Sequence, residues 1–216
     1  MEEEDKGAVS CKVVLIGESG VGKTSIISRF ITNTFSSILM STTGASFATK
    51  SIYLEKEDRT VKFEIWDTAG QEKYRSLAKV FYKNAQVCIL VYDISRKTSF
   101  EEIKNYWFKE IKNNALDSII LALAGNKSDT YEFEEVSDEE GKNYAKEINA
   151  IFQKTSAKTD VGVNELFKMI GQKVVNPETE NVSNLTKEEQ KKRGDKLKKD
   201  KIKKENNNNK INKCCA

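Results

Sequence analysis

The 216-residue chain has no histidine, a single proline and four cysteines, and no apolar run approaches the roughly 18 residues of a membrane-spanning helix. Without histidine there can be neither a Ser-His-Asp triad nor a His-ligated zinc site. That leaves magnesium on oxygen ligands as the natural metal. The cysteines make a poor disulfide framework. Cys11 and Cys88 fall in apolar, strand-like runs and read as small buried hydrophobes, while Cys214 and Cys215 stand side by side near the C-terminus. This usage is expected of a cytosolic protein. The opening Met1-Glu-Glu-Glu-Asp-Lys6 is acidic rather than a basic signal region, so secretion is not expected.

Charge is unevenly placed. The net charge is +3, yet Asn181–Ala216 holds 12 Lys/Arg against 5 Asp/Glu, a balance of +7, which leaves −4 on the rest. A mildly acidic globule thus carries a basic tail, of a kind that binds nucleic acid or an anionic membrane. Beyond Asn176-Pro177 the composition turns to Lys, Glu and Asn, with too few apolar residues to offset ordering entropy. The expected organisation is a short acidic extension (residues 1–10), one globular domain (11–175) and a disordered basic tail (176–216).

Hydrophobic patterning in the middle region alternates strand and helix. Lys12–Ile16 is an apolar run feeding a glycine-rich loop, and Ser25–Ile31 continues as a helix. Ser46–Leu54 and Thr60–Trp66 alternate around Glu55–Arg59 as a hairpin. Gln86–Tyr92, Ser118–Ala124 and Ala150–Lys154 read as buried strands. Phe100, Ile103, Trp107 and Ile111 mark one helix face, Ser137-Asp-Glu-Glu140 a capping box, and Val163–Val174 a closing amphipathic helix. This order predicts an α/β fold with a mainly parallel sheet, helices on both faces and one antiparallel edge strand from the hairpin.

Three separated segments carry the chemistry. Gly17-Glu-Ser-Gly-Val-Gly-Lys-Thr24, between strand and helix, lets backbone N–H groups around Ser19, Gly20, Val21 and Gly22 converge on phosphate. There Lys23 would reach the β- and γ-phosphates and the Thr24 hydroxyl would hold Mg²⁺. In Trp66-Asp-Thr-Ala-Gly-Gln71, Asp67 can hold the metal through a water, the Gly70 N–H can approach the γ-phosphate, and Gln71 can orient an attacking water. In Asn126-Lys-Ser-Asp129, the Asp129 carboxylate can accept from the ring N–H and exocyclic amine of guanine, an arrangement adenine does not offer. Asn126 would tie loops together and Lys127 would lay its stem over the base. Thr155-Ser156-Ala157-Lys158 supplies a second loop on the guanine side.

These residues resemble the Ras-like small GTPases, and among them the Rab family, over about Cys11–Val175 and the last residues. The resemblance implies a P-loop NTPase small G domain with a mostly parallel six-stranded sheet. It implies that Ser156, Ala157 and Lys158 complete the base pocket, that Phe35 packs on the guanine edge and that Ser25 contacts the α-phosphate. Thr42 becomes the first-switch threonine, touching Mg²⁺ and sensing the γ-phosphate. Catalysis then falls to Gln71, Lys23 and Thr42, and the metal to Thr24, Thr42 and Asp67. The stretches Lys62–Glu72, Lys73–Leu77 and Leu90–Ser95 are similar to Rabs, and Ser41–Phe47, Ser76–Ala78 and Asn84–Gln86 are most similar to the early-endosomal branch. Phe47, Trp66 and Phe81 match the aromatic triad that Rabs present to effectors. Thr43, Lys79 and Phe81 depart from the branch, where isoleucine, proline and tyrosine are usual.

The ending Lys213-Cys-Cys-Ala216 is not a CaaX box, since Lys213 occupies the fourth position from the end. It resembles the Rab signal for two geranylgeranyl groups on Cys214 and Cys215, and two lipids anchor stably where one is marginal. The adjacent cysteines favour membrane over nucleic acid as the tail's partner. The implied partners are GTP and GDP, an exchange factor, an activating protein, a prenyl-transfer escort, a GDP-dissociation inhibitor and effectors at the switches Thr32–Phe47 and Asp67–Phe81. The G domain is expected to act as a monomer on the cytoplasmic face of endosomal or vesicle membranes. A Golgi or secretory Rab, or a GTP-binding interaction protein with little hydrolysis, remain the alternatives.

Overall fold

Alternate residues of the central strands point to opposite faces of a sheet, and in this chain both faces are dry. In a computed structural model, which describes residues 8–38, 42, 45–68 and 80–177, strand β4 (Val87–Asp93) is buried along its whole length. Its Val87, Ile89 and Val91 enter one core, and its Cys88, Leu90 and Tyr92 the other. Strand β1 (Val9–Ile16) divides the same way, with Cys11, Val13 and Leu15 opposite Val14 and Ile16. Such near-continuous apolar runs are what a parallel sheet covered on both sides requires.

Among the described residues the sheet has six strands. With β2 (Ala45–Leu54), β3 (Arg59–Thr68), β5 (Ile120–Asn126) and β6 (Ile151–Lys154), the spatial order is β2-β3-β1-β4-β5-β6. Only β2 pairs antiparallel, forming the expected edge hairpin with β3; the pairs β1–β3, β1–β4, β4–β5 and β5–β6 are parallel. One face is covered by α1 (Lys23–Thr32) and the last helix, α5 (Val163–Val175), whose Phe30 and Phe167 rings stack with centroids 3.7 Å apart. The other face is covered by a helical run made of α2 (Lys97–Glu102), a π-helical turn (Ile103–Trp107) and α3 (Phe108–Asn114), together with α4 (Asp138–Glu147). The stripe Phe100, Ile103, Trp107 and Ile111 is buried, as its spacing predicts.

Several boundaries differ from those read in the sequence. Strand β1 begins at Val9 rather than Lys12, because Val9, Ser10 and Cys11 pair with Val61, Lys62 and Phe63 of β3. Helix α1 begins at Lys23, its first turn taking in Lys23 and Thr24 of the glycine-rich loop. Strand β5 starts later, at Ile120, since Ile119 is held in a turn by its N–H to Leu116 O, and it runs on to Asn126. Ser137 caps α4, its hydroxyl accepting from the Glu140 N–H over 3.1 Å.

This topology decides where function can sit. Strands β1, β3, β4, β5 and β6 run the same way, so their C-terminal ends share one edge of the sheet. There lie Gly17–Gly22, Asp67, Asp93, Asn126 and Thr155–Lys158. In open α/β sheets that edge is where ligands bind. Cys11 and Cys88 are fully buried and free, with burial pushing the Cys11 thiol up to about 12, so both are inert core hydrophobes. Among the described residues no helix is long and apolar enough to cross a membrane.

Candidate functional site

At the end of β1 the chain cannot continue straight. Gly17 has φ 153°, and a Cβ there would lie 2.2 Å from Val91 O, so only glycine lets the loop turn away from β4. The loop then curls until Gly22, at φ 96°, starts α1. A Cβ on Gly22 would stand 2.3 Å from Asn126 Nδ2, which shows how closely the glycine-rich loop and the loop after β5 approach.

The two loops are bonded to each other. Asn126 is 2 % exposed; its Nδ2 donates to Val21 O over 2.8 Å and its Oδ1 accepts from Thr155 Oγ1 over 3.1 Å. One amide thereby joins the β1–α1, β5 and β6 loops. Val21 contributes its backbone to this join, while its side chain is buried in the core.

Between the loops lies a cavity of about 370 Å³, lined by Ser19, Gly20, Gly22, Lys23, Thr24, Ser25, Phe35, Ser36, Ser37, Thr42, Asn126, Lys127, Asp129, Ala157 and Lys158. Fifteen residues drawn from four chain regions are brought to one space. The volume suits a nucleotide-sized ligand. Ser156 is fully buried behind the wall, and its hydroxyl donates to Asp129 Oδ1 over 2.6 Å, aiming the carboxylate. Lys158 Nζ stands 3.6 Å from the other oxygen, Asp129 Oδ2. Phe35, about one-third exposed, stands at the cavity wall where α1 has ended.

At the phosphate end, the Lys23 ammonium donates to Gly17 O over 2.9 Å and Glu18 O over 3.0 Å. Burial brings its pKa down to about 8, although Asp67 and Glu18 oppose the fall. Thr24 Oγ1 donates to Asp67 Oδ2 over 2.6 Å and meets Thr42 Oγ1 at 2.9 Å. Asp67 is 2 % exposed and its Oδ1 has no hydrogen-bond partner. Burial raises the Asp67 carboxyl above its ordinary range, against the Thr24 bond and the Lys23 charge. An orphaned, buried carboxylate oxygen beside two hydroxyls is an incomplete all-oxygen set. Such a set fits Mg²⁺, which keeps water and phosphate ligands beside one or two protein oxygens.

Phe47, Trp66 and Phe81 form one stack, with centroid separations of 5.0 Å and 5.1 Å. Trp66 and Phe81 rest on the core, while Phe47 is 53 % exposed. Gly70, Gln71, Thr43, Lys79, Cys214 and Cys215 lie outside the described residues, as do residues 1–7 and the tail from 178.

Three charged residues at the site carried no role in the sequence reading. Asp93 Oδ2 pairs with Lys127 Nζ over 2.6 Å. Burial alone would raise the Asp93 carboxyl, but hydrogen bonds from Lys127 and Ser95 hold it below its usual value. Arg29 Nε and Nη2 donate to Ala157 O and Lys158 O over 2.8 and 3.1 Å, and Nη1 to Asn33 O and Oδ1, so α1 grips the base-side loop. Arg96 Nη2 donates to Ser19 O over 2.9 Å. A carboxylate closing an apolar strand was the one available signal for Asp93; the arginines follow no local pattern.

The sequence model described as the Ras family matches residues 12–176, a span that holds each of these loops.

Proposed function

The chain belongs to the Ras family of small GTPases, and from that footing we propose that it is a Rab-type GTPase hydrolysing GTP to GDP and phosphate. The observation that carries the reading is the single cavity in which Lys23 and Thr24 of the phosphate-binding loop face the same space as Asp129, already aimed by Ser156. The first pair suits a polyphosphate and the second suits guanine. Joined by Asn126, they suit one molecule that has both.

In this reading the loop N–H groups and Lys23 hold the β- and γ-phosphates, and Asp129 accepts from the two guanine donors. Thr24, Asp67 and Thr42 would hold Mg²⁺, which when bound neutralises charge developing on the phosphate oxygens. Gln71 orients the water that attacks the γ-phosphorus; a neutral amide is a poor base, so its work is positioning. No arginine in the three motifs Gly17–Thr24, Trp66–Gln71 and Asn126–Asp129 supplies transition-state charge in cis, so unaided turnover is expected to be slow. An activating protein supplies that charge in trans, for a gain of about 10³–10⁵-fold.

The output is a switch. Thr32–Phe47 and Asp67–Phe81 would be the two segments that respond to the γ-phosphate. Effectors read the GTP-bound form through Phe47, Trp66 and Phe81, whose half-exposed stack suits an apolar partner. Lipids on Cys214 and Cys215 and the basic tail hold the protein on the cytoplasmic face of endosomal or vesicle membranes, where it directs trafficking and fusion. An exchange factor reloads it, and an escort and a GDP-dissociation inhibitor carry the lipidated form.

Single-turnover phosphate release from protein preloaded with GTP tests this function. Slow release in the wild type, further slowed in Gln71→Leu with nucleotide affinity unchanged, is expected. Wild-type turnover in Gln71→Leu would remove that residue from the chemistry, and no release even with activating proteins would leave a binding protein rather than an enzyme.

A further inference from the structure

Arg96 lies in the turn between β4 and α2, anchored by its own backbone. Its N–H donates to Asp93 O over 3.0 Å, and its carbonyl accepts from the Ser99 N–H over 3.0 Å and the Ser99 hydroxyl over 2.7 Å. From that base the side chain returns to the phosphate-binding loop. Nη2 donates to Ser19 O over 2.9 Å and lies 3.6 Å from Glu18 Oε2, while Nη1 is 3.9 Å from where a Cβ on Gly20 would stand. One guanidinium therefore meets three consecutive residues of the loop.

Ser19 and Gly20 line the cavity and Arg96 does not, so the arginine holds the loop from its outer side. In a trans peptide the carbonyl of Ser19 and the N–H of Gly20 point in opposite directions. Fixing Ser19 O toward Arg96 turns the Gly20 N–H away from it, in the sense a bound phosphate needs. The ion pair with Glu18 is not what seats the guanidinium. Glu18 Oε2 and Arg96 Nε are both buried without a hydrogen-bond partner, so the formed bond is the one to Ser19 O. The same short turn carries Asp93, which grips Lys127 of the base-side loop. A strap of four residues, Asp93 to Arg96, thus holds both ends of the cavity.

We propose that Arg96 is a positioning residue for the bound nucleotide. It pins the Ser19–Gly20 peptide in the phosphate-receiving orientation, and its fixed charge slows nucleotide release and favours triphosphate over diphosphate. A triphosphate carries more negative charge, so a cation beside the loop acts on it more strongly. The inference rests on the guanine-nucleotide reading above.

The test uses the full chain as wild type, Arg96→Ala and Arg96→Lys, each loaded with a fluorescent GDP or a non-hydrolysable GTP analogue and chased with excess unlabelled GDP in Mg²⁺. Arg96→Ala is expected to release GDP about 3- to 10-fold faster, the size for one charge-assisted hydrogen bond on a partly exposed side chain. The GTP analogue should suffer more than GDP, with the gap widening at low salt. Arg96→Lys keeps the charge without the fork and should fall between the two. Wild-type release rates in Arg96→Ala would overturn the proposal. So would equal losses in both variants with the triphosphate preference unchanged, which is the signature of packing alone. Failure of the wild type to bind either nucleotide would overturn the functional reading as well, whereas normal binding with no Arg96 effect would overturn only this inference.

Discussion

Asn126 Nδ2 donates to Val21 O over 2.8 Å, joining loops 105 residues apart in the chain. Because the same amide also accepts from Thr155, its removal leaves two buried polar groups without partners. Asn126→Ala is therefore expected to cost about 1–3 kcal/mol of stability per group left unpaired. GDP should also bind more weakly, by at least about tenfold if one buried bond's worth of loop order is lost. Thermal unfolding and fluorescent GDP titration measure the two effects. An unchanged GDP affinity would mean that the loops are held in register without Asn126.

Asp129 gives a change of specificity rather than a loss. Xanthine carries an oxygen where guanine carries its exocyclic amine, so a carboxylate there repels it and an amide donor does not. Asp129→Asn should lower GDP binding and raise xanthosine diphosphate binding, reversing the order of preference. The Ser156 hydroxyl, which donates to Asp129 Oδ1, can also donate to the amide oxygen of an asparagine, so the fold should survive. Competition between the two diphosphates reads the outcome directly. Equal losses of both would show that residue 129 shapes the loop without reading the base.

Lys23 should make nucleotide binding depend on pH. An ordinary lysine titrates near 10.5, whereas burial brings this one to about 8. Between those values the unfolded chain binds more protons than the folded one, so fold stability rises as pH climbs from about 8 to about 10.5. A bound triphosphate acts in the opposite sense, since it favours the ammonium. GTP binding above pH about 8 should therefore take up a proton at Lys23. Calorimetric titrations in buffers of different ionisation enthalpy measure that uptake, and Lys23→Met should abolish it. Identical uptake in the variant would assign the proton to another group.

The two terminal cysteines are a separable part of the account. Replacing Cys214 and Cys215 together by serine should move the protein from the membrane to the soluble fraction of cells and leave GDP affinity unchanged. Replacing one should give partial, reversible membrane binding, because a single lipid is a marginal anchor. Membrane association that persists in the double variant would require a different anchor.

What the sequence made legible was whatever is encoded by spacing along the chain. The continuous apolar run Gln86–Tyr92 named a strand buried on both faces, and the strand-loop-helix context of Gly17–Thr24 named a glycine-rich loop suited to phosphate. Strand ends were less legible, because pairing across the sheet sets them: Val9–Cys11 become strand only by lying beside Val61–Phe63. Of the contacts between distant loops, only the tie made by Asn126 was legible. Nothing near Arg96 in the chain signals Ser19, and nothing near Arg29 signals Ala157; the order β3-β1-β4-β5-β6 brings their loops to one edge. Asp93 could have been suspected, since a carboxylate ending a run of buried residues needs a partner, and Lys127 is that partner.

One cavity is proposed to hold both a polyphosphate and a guanine base. This is tested most directly by displacing fluorescent GDP, in the presence of Mg²⁺, with unlabelled GTP, GDP or ATP. GTP and GDP should displace it at comparable, stoichiometric concentrations, with ATP ineffective even at about 1,000-fold excess, the discrimination expected when a site built for guanine's donors leaves Asp129 unpaired. Displacement by ATP at concentrations similar to GTP would show that Asp129 does not read the base and would overturn the guanine-nucleotide assignment.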